Sequence, residues 1–236
     1  MSIAIIYTTF LRDKLANKTL QSIYDNWSLD YGPVLIGNQN KENNVLGSFN
    51  LPFDCGLSYA RNWLVQKANQ LGCKYCLVTA DSIEFTSRYD FKPIIECMEN
   101  NNIDKIGFGL NNRVPWEYNM GLIPGKYFEL TLPSRSVVYK GIEYRNVDIC
   151  KNFFIAKTKI LLDVPWDNDL KLSEHEDHCW RLKQTGHVTV VTNHISANYI
   201  DDKPEEYLKY RSRMYSEYRK LFLNKYNISN WVKRNS

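Results

Sequence analysis

Two acidic segments of the sequence have residue types that could carry chemistry. Asp81 follows the apolar, β-rich run 75–79 and is expected at the carboxyl end of a strand. A carboxylate there can hold Mn²⁺ or Mg²⁺, although aspartates also commonly cap turns and helices. The second segment, S-E-H-E-D-H at 173–178, places three carboxylates in the first turn of a predicted helix. The helix dipole favours their ionised form, as a general base requires, but such acids are also ordinary capping residues.

Histidine and arginine side chains supply further candidates. His194 follows the last predicted strand and could reach the same cation through a ring nitrogen, although a single histidine there is also often structural. Arg12, Arg61 and Arg113 could clamp a diphosphate, since guanidinium groups pair well with phosphate oxygens. Each of these arginines, taken alone, is equally consistent with a solvated surface residue.

The spacing of histidines and cysteines does not indicate a zinc site. His175 and His178 lie three residues apart, which differs from the H-E-x-x-H spacing of zinc peptidases. Cys73 and Cys76 have C-x-x-C spacing, but no second pair accompanies them. Most of the six cysteines fall within apolar runs, where reduced thiols behave as small hydrophobic groups. We therefore expect free thiols.

Alternating apolar runs and helical patterns predict the elements that position these residues. Strands are expected over 3–7, 33–37, 75–79, 105–110, 152–156 and 188–191, and helices over 14–26, 58–71, 173–184 and from 204 onward. The pattern also predicts a loop over 111–126, a hairpin over 135–145 that turns at Lys140-Gly141, and a capping box formed by Ser173 and Glu176. Together these elements predict a mainly parallel α/β sheet, in which ligands bind beyond the carboxyl ends of the strands.

Length and charge favour one catalytic domain with a basic C-terminal tail. A chain of 236 residues with 44% hydrophobic and 24% charged residues suits a single globular α/β core. The formal net charge of +4 is too small to indicate nucleic-acid binding. Between positions 203 and 236, however, nine Lys and Arg residues stand against three Glu residues. We predict a catalytic domain over 1–200 and a tyrosine-rich, basic helical tail over 201–236.

Apolar segments are too short to predict a membrane span. The N-terminal run 3–7 is shorter than a signal-peptide core, and no other run approaches the roughly 20 residues that a spanning helix needs. We therefore expect a cytoplasmic protein. The tail could lie on the inner face of the membrane as a peripheral helix, or it could pack on the domain with a solvated basic face.

Several segments, in order along the chain, resemble family-2-like glycosyltransferases. The segment I-I-Y-T-T-F-L-R at 5–12 resembles their first strand and nucleotide-binding loop, and G-L-S-Y-A-R-N at 56–62 resembles their G-L-S-x-A-R-N segment. The segment V-T-A-D-S-I-E-F at 78–85 lies where these enzymes carry a D-x-D metal motif. Similarity to the β-1,4-N-acetylgalactosaminyltransferase-like branch rests on 152–158, 174–177 and 193–194.

The resemblance implies a GT-A (Rossmann-like) fold and an inverting, metal-dependent enzyme that transfers a hexose or N-acetylhexosamine from a UDP-sugar. Asp81 and His194 would hold Mn²⁺ or Mg²⁺. Asp177 would be the catalytic base, with Glu176 as the second candidate, and Glu174 would hold the acceptor. The donor would contact Thr8, Phe10, Arg12, Arg61, Asn62 and Asp81. One departure is T-A-D-S at 79–82, which keeps a single aspartate where the motif usually has two or three.

The sequence leaves the identity of the acceptor open. A saccharide or lipid-linked glycan is the first expectation, while the basic tail also suits modified bases in phage DNA. A non-catalytic module that binds nucleotide sugars or polyanions is the alternative of a different class, and the incomplete metal motif supports it. Hydrolysis of UDP-sugar donors with and without Mn²⁺ distinguishes an enzyme from such a module.

Overall fold

Strands and helices alternate through most of the protein, whose computed structural model describes residues 2–28, 30–114, 117–133 and 135–234. The strands are β1 (Ile3–Thr9), β2 (Val34–Asn38), β3 (Phe49–Asn50), β4 (Tyr75–Val78), β5 (Ile83–Glu84), β6 (Lys105–Leu110), β7 (Asn119–Ile123), β8 (Tyr127–Thr131), β9 (Val137–Tyr139), β10 (Ile142–Val147), β11 (Phe154–Lys157), β12 (Thr189–Tyr199) and β13 (Asn230–Arg234). The helices are α1 (Asp13–Asn26), α2 (Leu57–Gln70), α3 (Lys92–Asn100), α4 (Thr158–Asp163), α5 (Glu174–Gln184) and α6 (Glu205–Lys225).

The central sheet has the strand order β3-β2-β1-β4-β11-β6-β12-β10-β9. β3, β2, β1 and β4 pair in parallel, as do β6 and β12. β11 runs antiparallel between β4 and β6, and β10 runs antiparallel to both β12 and β9. Along this path, only β11 and β10 oppose the common direction. The predicted mainly parallel α/β sheet is therefore confirmed.

Apolar side chains cover the sheet on both faces, as the residues of β1 illustrate. Ile3, Ile5 and Tyr7 join one core cluster, and the alternate residues Ala4 and Ile6 join the other. Helices α1 and α3 contribute to the first cluster, whereas α2 and α4 contribute to the second. A strand covered on both faces is a continuous apolar run, which explains why β1 was easily predicted.

The carboxyl edge of the sheet brings the ends of β1 and β4 together. The Thr79 N–H donates to the Ile6 carbonyl at 3.0 Å, which keeps the chain beyond β4 alongside β1. The Thr19 hydroxyl on α1 then donates to the Asp81 carbonyl at 2.8 Å. Asp81 is thus fixed just beyond the carboxyl end of β4, as the sequence predicted.

A second sheet of three strands, β13-β8-β7, differs from the expected loop and helical tail. β7 lies within the predicted loop over 111–126, of which residues 115 and 116 are outside the described residues. β8 pairs antiparallel with β7 and parallel with β13. β13 lies about 100 residues farther along the chain, and local patterns do not reveal so distant a pairing partner. The loop prediction was therefore wrong over Asn119–Ile123.

Of the predicted hairpin and the predicted helix capping box, only the hairpin is present. β9 and β10 form the expected hairpin, with positive φ at Lys140 (45°) and Gly141 (84°). This is the geometry that two-residue hairpin turns prefer. The capping box was wrong, because Ser173 adopts a left-handed conformation (φ 62°) and its side chain makes no capping hydrogen bond. An N-cap residue normally needs extended backbone to present its side chain to the first turn.

The predicted tail packs against the domain through aromatic rings. Phe222 on α6 and Phe128 on β8 are both fully buried. The Phe222 ring stacks on Trp231 of β13 with centroids 5.2 Å apart, and Trp231 stacks on Phe128 at 4.9 Å. Within the described residues, no helix combines the length and apolar character that crossing a membrane requires.

The six cysteines are all free, as predicted, and all except Cys55 are buried. The Cys76 thiol lies 3.5 Å from the Thr158 hydroxyl. Burial raises the pKa of Cys76 to about 12, which keeps this group protonated near neutral pH.

The aromatic cluster predicts that the C-terminal helix contributes to global stability. Phe222→Ala should lower the free energy of unfolding by about 3–5 kcal/mol, because it leaves a cavity between Phe128 and Trp231. Leu221→Ala is the matched control, since this neighbour on α6 is 44% exposed and should change stability by no more than about 1 kcal/mol. Urea unfolding measures both variants. Equal effects would show that α6 does not pack on the domain through Phe222.

Candidate active site

A cleft of about 1350 Å³ opens at the carboxyl edge of the central sheet. Its walls come from the end of β1, the segment after β4, the start of α5, and α6. It brings together seven of the predicted site residues, namely Thr8, Phe10, Arg12, Arg61, Asp81, Glu174 and Glu176. Arg113, which was a candidate for binding a diphosphate, lines the same cleft.

Asp81 and Arg12 form an ion pair on the floor of this cleft. The Arg12 Nη2 atom donates to Asp81 Oδ1, and only 1% of the Asp81 side chain is exposed. Burial raises the pKa of Asp81 above its usual value, and the positive charge of Arg12 acts in the opposite direction. Arg12 also lies under the ring of Tyr207, with its guanidinium carbon 4.3 Å from the ring centroid.

Several buried polar atoms around Asp81 have no hydrogen-bond partner. They are Asp81 Oδ2, Arg12 Nε and Thr79 Oγ1. Buried polar atoms in folded proteins are nearly always paired, so a group of unpaired ones in a cleft indicates a place for a polar ligand. The unpaired carboxylate oxygen suits a cation, and the unpaired Nε–H suits an anion.

Arg61 and Glu174 form a second ion pair in the cleft. Arg61 Nη1 lies 2.9 Å from Glu174 Oε1, and both side chains are almost fully buried. Arg61 is held on α2, which begins after Gly56 at φ +88°, a conformation that favours glycine. The guanidinium carbon also lies 5.4 Å from the Trp166 ring centroid. The pair fixes the orientation of Glu174, which lies near a further acid of the cleft.

This further acid is Glu176, in the first turn of α5. Burial and the negative charge of Glu174 raise the pKa of Glu176 to about 7. A general base works best when its pKa lies near the operating pH, because it is then both ionised and able to take a proton. Glu176 therefore combines position and basicity for proton transfer within the cleft.

Asp177 does not line the cleft and faces the C-terminal helix instead. Its carboxylate accepts hydrogen bonds from Arg181 Nε (2.7 Å) and the Tyr226 hydroxyl (2.7 Å), and Lys225 Nζ lies 2.5 Å away. These contacts hold the Asp177 carboxylate on the side of α5 that faces the end of α6, whereas Glu176 lines the cleft. Asp177 was the first candidate for the catalytic base, and the structure places its carboxylate outside the lining of the cleft.

Two further predicted residues lie outside the lining of the cleft. His194 is exposed on β12, where its backbone N–H donates to the Thr192 hydroxyl at 3.1 Å. The Asn62 amide donates to the Trp166 carbonyl at 2.8 Å and to Asn168 Oδ1 at 2.9 Å, so it holds the segment before α5. In the part of the chain that is described, no three His, Cys, Asp or Glu side chains are grouped as a metal site.

The C-terminal helix forms a wall of the cleft that sequence analysis did not assign to the site. Tyr207 covers Arg12, and Tyr210 meets the edge of Phe10 with ring centroids 5.4 Å apart. The available sequence signal was the four-residue spacing of Tyr207, Arg211, Tyr215 and Arg219, which places them on one side of a helix.

Solved structures with a similar fold bind nucleotides or nucleotide sugars. GalNAc-T7 with UDP, GalNAc and Mn²⁺ matches with a TM-score of 0.66 and 10% identity over 94% of this chain and 49% of its own. S. aureus TarS 1-349 with UDP-GlcNAc matches with a TM-score of 0.61 and 12% identity over 88% and 61%. The mannosyltransferase PcManGT from Pyrobaculum calidifontis with GDP-Man and Mn²⁺ matches with a TM-score of 0.61 and 12% identity over 89% and 60%.

These comparisons show that the chain has the GT-A fold of glycosyltransferases. The chain spans about half to three-fifths of the length of these structures. Comparisons with protein-family models and with curated proteins gave no match.

The surroundings of Asp177 predict a structural role for this residue. Asp177→Ala should lower the free energy of unfolding by about 2–4 kcal/mol, because it leaves Arg181, Lys225 and Tyr226 without their shared buried partner. Asp163→Ala is the control, since Asp163 pairs with Lys159 at the same four-residue spacing but both side chains are exposed. It should cost less than about 0.5 kcal/mol in the same urea titration. A stable Asp177→Asn variant that binds UDP but transfers no sugar would instead restore Asp177 as the base.

Proposed function

We propose that the protein is a glycosyltransferase that moves a hexose or N-acetylhexosamine from a UDP-sugar to a saccharide or lipid-linked glycan with inversion. The observation that carries this proposal is the meeting of the Arg12–Asp81 pair, the Arg61–Glu174 pair and Glu176 in one cleft of a GT-A fold. The three groups supply a donor site, a positioned carboxylate and a base.

The donor diphosphate binds at the end of β1, where Arg12 presents an unpaired Nε–H and Thr79, in the same cleft, presents an unpaired hydroxyl. Arg61 lies across the cleft on α2 and adds a second guanidinium. Such groups stabilise the negative charge that develops on a leaving diphosphate. The nucleotides named for GalNAc-T7 and TarS favour a uridine donor, whereas PcManGT was solved with GDP-Man.

A divalent cation fits beside Asp81. The Oδ2 atom of Asp81 is buried and unpaired, and carboxylate oxygen is the ligand type that Mn²⁺ and Mg²⁺ prefer. Asp81 would therefore hold the ion, with phosphate oxygens of the donor completing its shell. When bound, the ion would supply positive charge that neutralises the leaving diphosphate. Because Arg12 pairs with the other oxygen of Asp81, the cation and the guanidinium share one carboxylate.

Glu176 removes the proton from the acceptor hydroxyl in this proposal. The acceptor oxygen forms a bond to the anomeric carbon as the bond from that carbon to the UDP oxygen breaks, and the proton goes to the Glu176 carboxylate. A single displacement of this kind inverts the configuration. Glu174 lies beside Glu176, is oriented by Arg61, and is proposed to hold the acceptor. A β-linked product from an α-linked donor is the stereochemical result expected.

Donor binding tests the role of Asp81. Wild-type protein should hydrolyse at least one of UDP-Glc, UDP-Gal, UDP-GlcNAc and UDP-GalNAc, and Mn²⁺ should strengthen UDP binding in calorimetry. Asp81→Asn should reduce the Mn²⁺-dependent affinity by about tenfold or more, because the ion loses a charged ligand. Asp163→Asn, which changes an exposed aspartate outside the cleft, should bind UDP normally.

Two results would count against this donor site. If no UDP-sugar or GDP-sugar binds with or without Mn²⁺, the protein is not a nucleotide-sugar enzyme. If Asp81→Asn keeps its full response to Mn²⁺, the ion binds elsewhere. The His194→Ala variant completes the test of the predicted metal pair. Its position outside the cleft leads us to expect unchanged affinity, and a loss equal to that of Asp81→Asn would place His194 in the metal shell.

The raised pKa of Glu176 predicts a pH-dependent rate. The value of kcat/KM should fall about tenfold per pH unit below pH 7, because the protonated carboxyl group cannot accept the acceptor's proton. Glu176→Gln should bind UDP normally, transfer sugar about 10²–10⁴-fold more slowly, and lose this acid limb. The control is Glu206→Gln, which alters a first-turn glutamate of α6 outside the cleft. Near-normal transfer by Glu176→Gln would refute its role as base.

A further inference from the structure

We infer that one side of α6 is a binding surface for an anionic sugar chain, with phosphate or carboxylate groups, that serves as the acceptor. This inference rests on the proposed function and specifies its acceptor. The surface, here called the Tyr–Arg stripe, consists of Tyr207, Arg211, Tyr215 and Arg219, and all four residues line the cleft.

The spacing of the stripe is regular. Its members lie four residues apart, so they form one row along the helix. Arg211 Nη1 donates to the Tyr207 hydroxyl at 2.7 Å, and Arg219 Nη1 donates to the Tyr215 hydroxyl at 3.0 Å. Each arginine is thus oriented by the tyrosine one turn before it. The row presents two ring-and-guanidinium units rather than isolated charges.

Charge in the cleft favours an acidic ligand at this wall. Three carboxylates of the cleft are already paired with cations. Asp81 pairs with Arg12, Glu174 with Arg61, and Asp54 with Lys171. By contrast, neither Arg211 nor Arg219 forms an ion pair with any described residue. Their side-chain hydrogen bonds go to tyrosine hydroxyls and the Asn230 side chain, and Glu174 acts on Arg211 only through its nearby charge. Guanidinium groups without a carboxylate partner are well suited to bind phosphate or carboxylate groups.

The stripe leads away from the donor site. Tyr207 covers Arg12 at one end, and Arg219 reaches Asn230 beside Trp231 at the other. At a rise of 1.5 Å per residue, Arg211 and Arg219 stand about 12 Å apart along the helix. A chain with acidic groups repeating at roughly that distance can contact both arginines while its end reaches Glu176. The aromatic rings offer flat faces for sugar rings between the acidic groups.

A sugar chain fits better than a nucleic acid for two reasons. The cleft contains Glu174 and Glu176, which would repel a closely spaced phosphate backbone at the point of transfer. In addition, the arginines are few and widely spaced, whereas nonspecific nucleic-acid sites carry a dense positive groove. The sequence-based alternative of a DNA acceptor is therefore the competing outcome of the test.

Fluorescence anisotropy with labelled oligomers tests this inference on the full chain. The probes are oligogalacturonate, phosphorylated maltooligosaccharide, unmodified maltooligosaccharide and oligo(dT), matched in length. Wild-type protein should bind an acidic sugar chain at low salt and lose affinity as salt rises. Comparing the galacturonate and phosphate probes identifies the preferred acidic group. Arg211→Gln and Arg219→Gln should each weaken binding about tenfold.

Arg213→Gln is the matched control. This residue lies on the same helix and carries the same charge, but it does not line the cleft, so binding should change less than about twofold. All three variants should bind UDP as wild type does. The inference is overturned if the neutral chain binds as tightly as the acidic ones, if Arg213→Gln weakens binding as much as the stripe variants, or if oligo(dT) binds most tightly. If the wild-type protein does not bind UDP, the proposed function is overturned. The measured binding of the oligomers does not depend on that result.

Discussion

The buried carboxylate of Asp177 determines how the two halves of the cleft are assembled. A fully buried charge is costly unless partners surround it, and those partners are Arg181 on α5 together with Lys225 and Tyr226 at the end of α6. Satisfying Asp177 therefore docks the C-terminal helix on α5. It also fixes the rotation of α5, so that Glu176 faces the cleft. One buried charge thus positions both the proposed base and the wall opposite it.

Opposing charges organise the rest of the cleft. Asp81 and Glu174 each hold an arginine, and each arginine also contacts an aromatic ring, Tyr207 for Arg12 and Trp166 for Arg61. These contacts keep the guanidinium groups oriented before a ligand arrives, which reduces the entropy cost of binding. For Glu176, burial and the charge of its neighbour Glu174 raise the pKa and outweigh the opposing charges of Lys151 and Arg211. These different environments suit the two acids to different proposed tasks. Glu174 would hold the acceptor, and Glu176 would accept its proton.

Sequence patterns predicted the parts of this arrangement that depend on local structure. The strands β1, β4, β6 and β11 are largely apolar and buried, and Asp81 lies just after the end of β4. Local sequence could not predict which way Asp177 faces, because its orientation depends on contacts with residues 225 and 226. The small sheet was missed for the same reason, since β13 pairs with β8 from a distant part of the chain. The capping box failed because Ser173 is left-handed, a property that its residue type does not favour.

The contact between Arg12 and Tyr207 joins the donor end of the cleft to its C-terminal wall. Arg12 holds Asp81 below and meets the Tyr207 ring above, so a donor that moves Arg12 would also disturb the first ring of α6. Tyr207 in turn accepts a hydrogen bond from Arg211. The proposed donor and acceptor surfaces are therefore joined by a continuous row of contacts. The segment after residue 200, which composition marks as a tail, thus contributes α6 to the lining of the cleft.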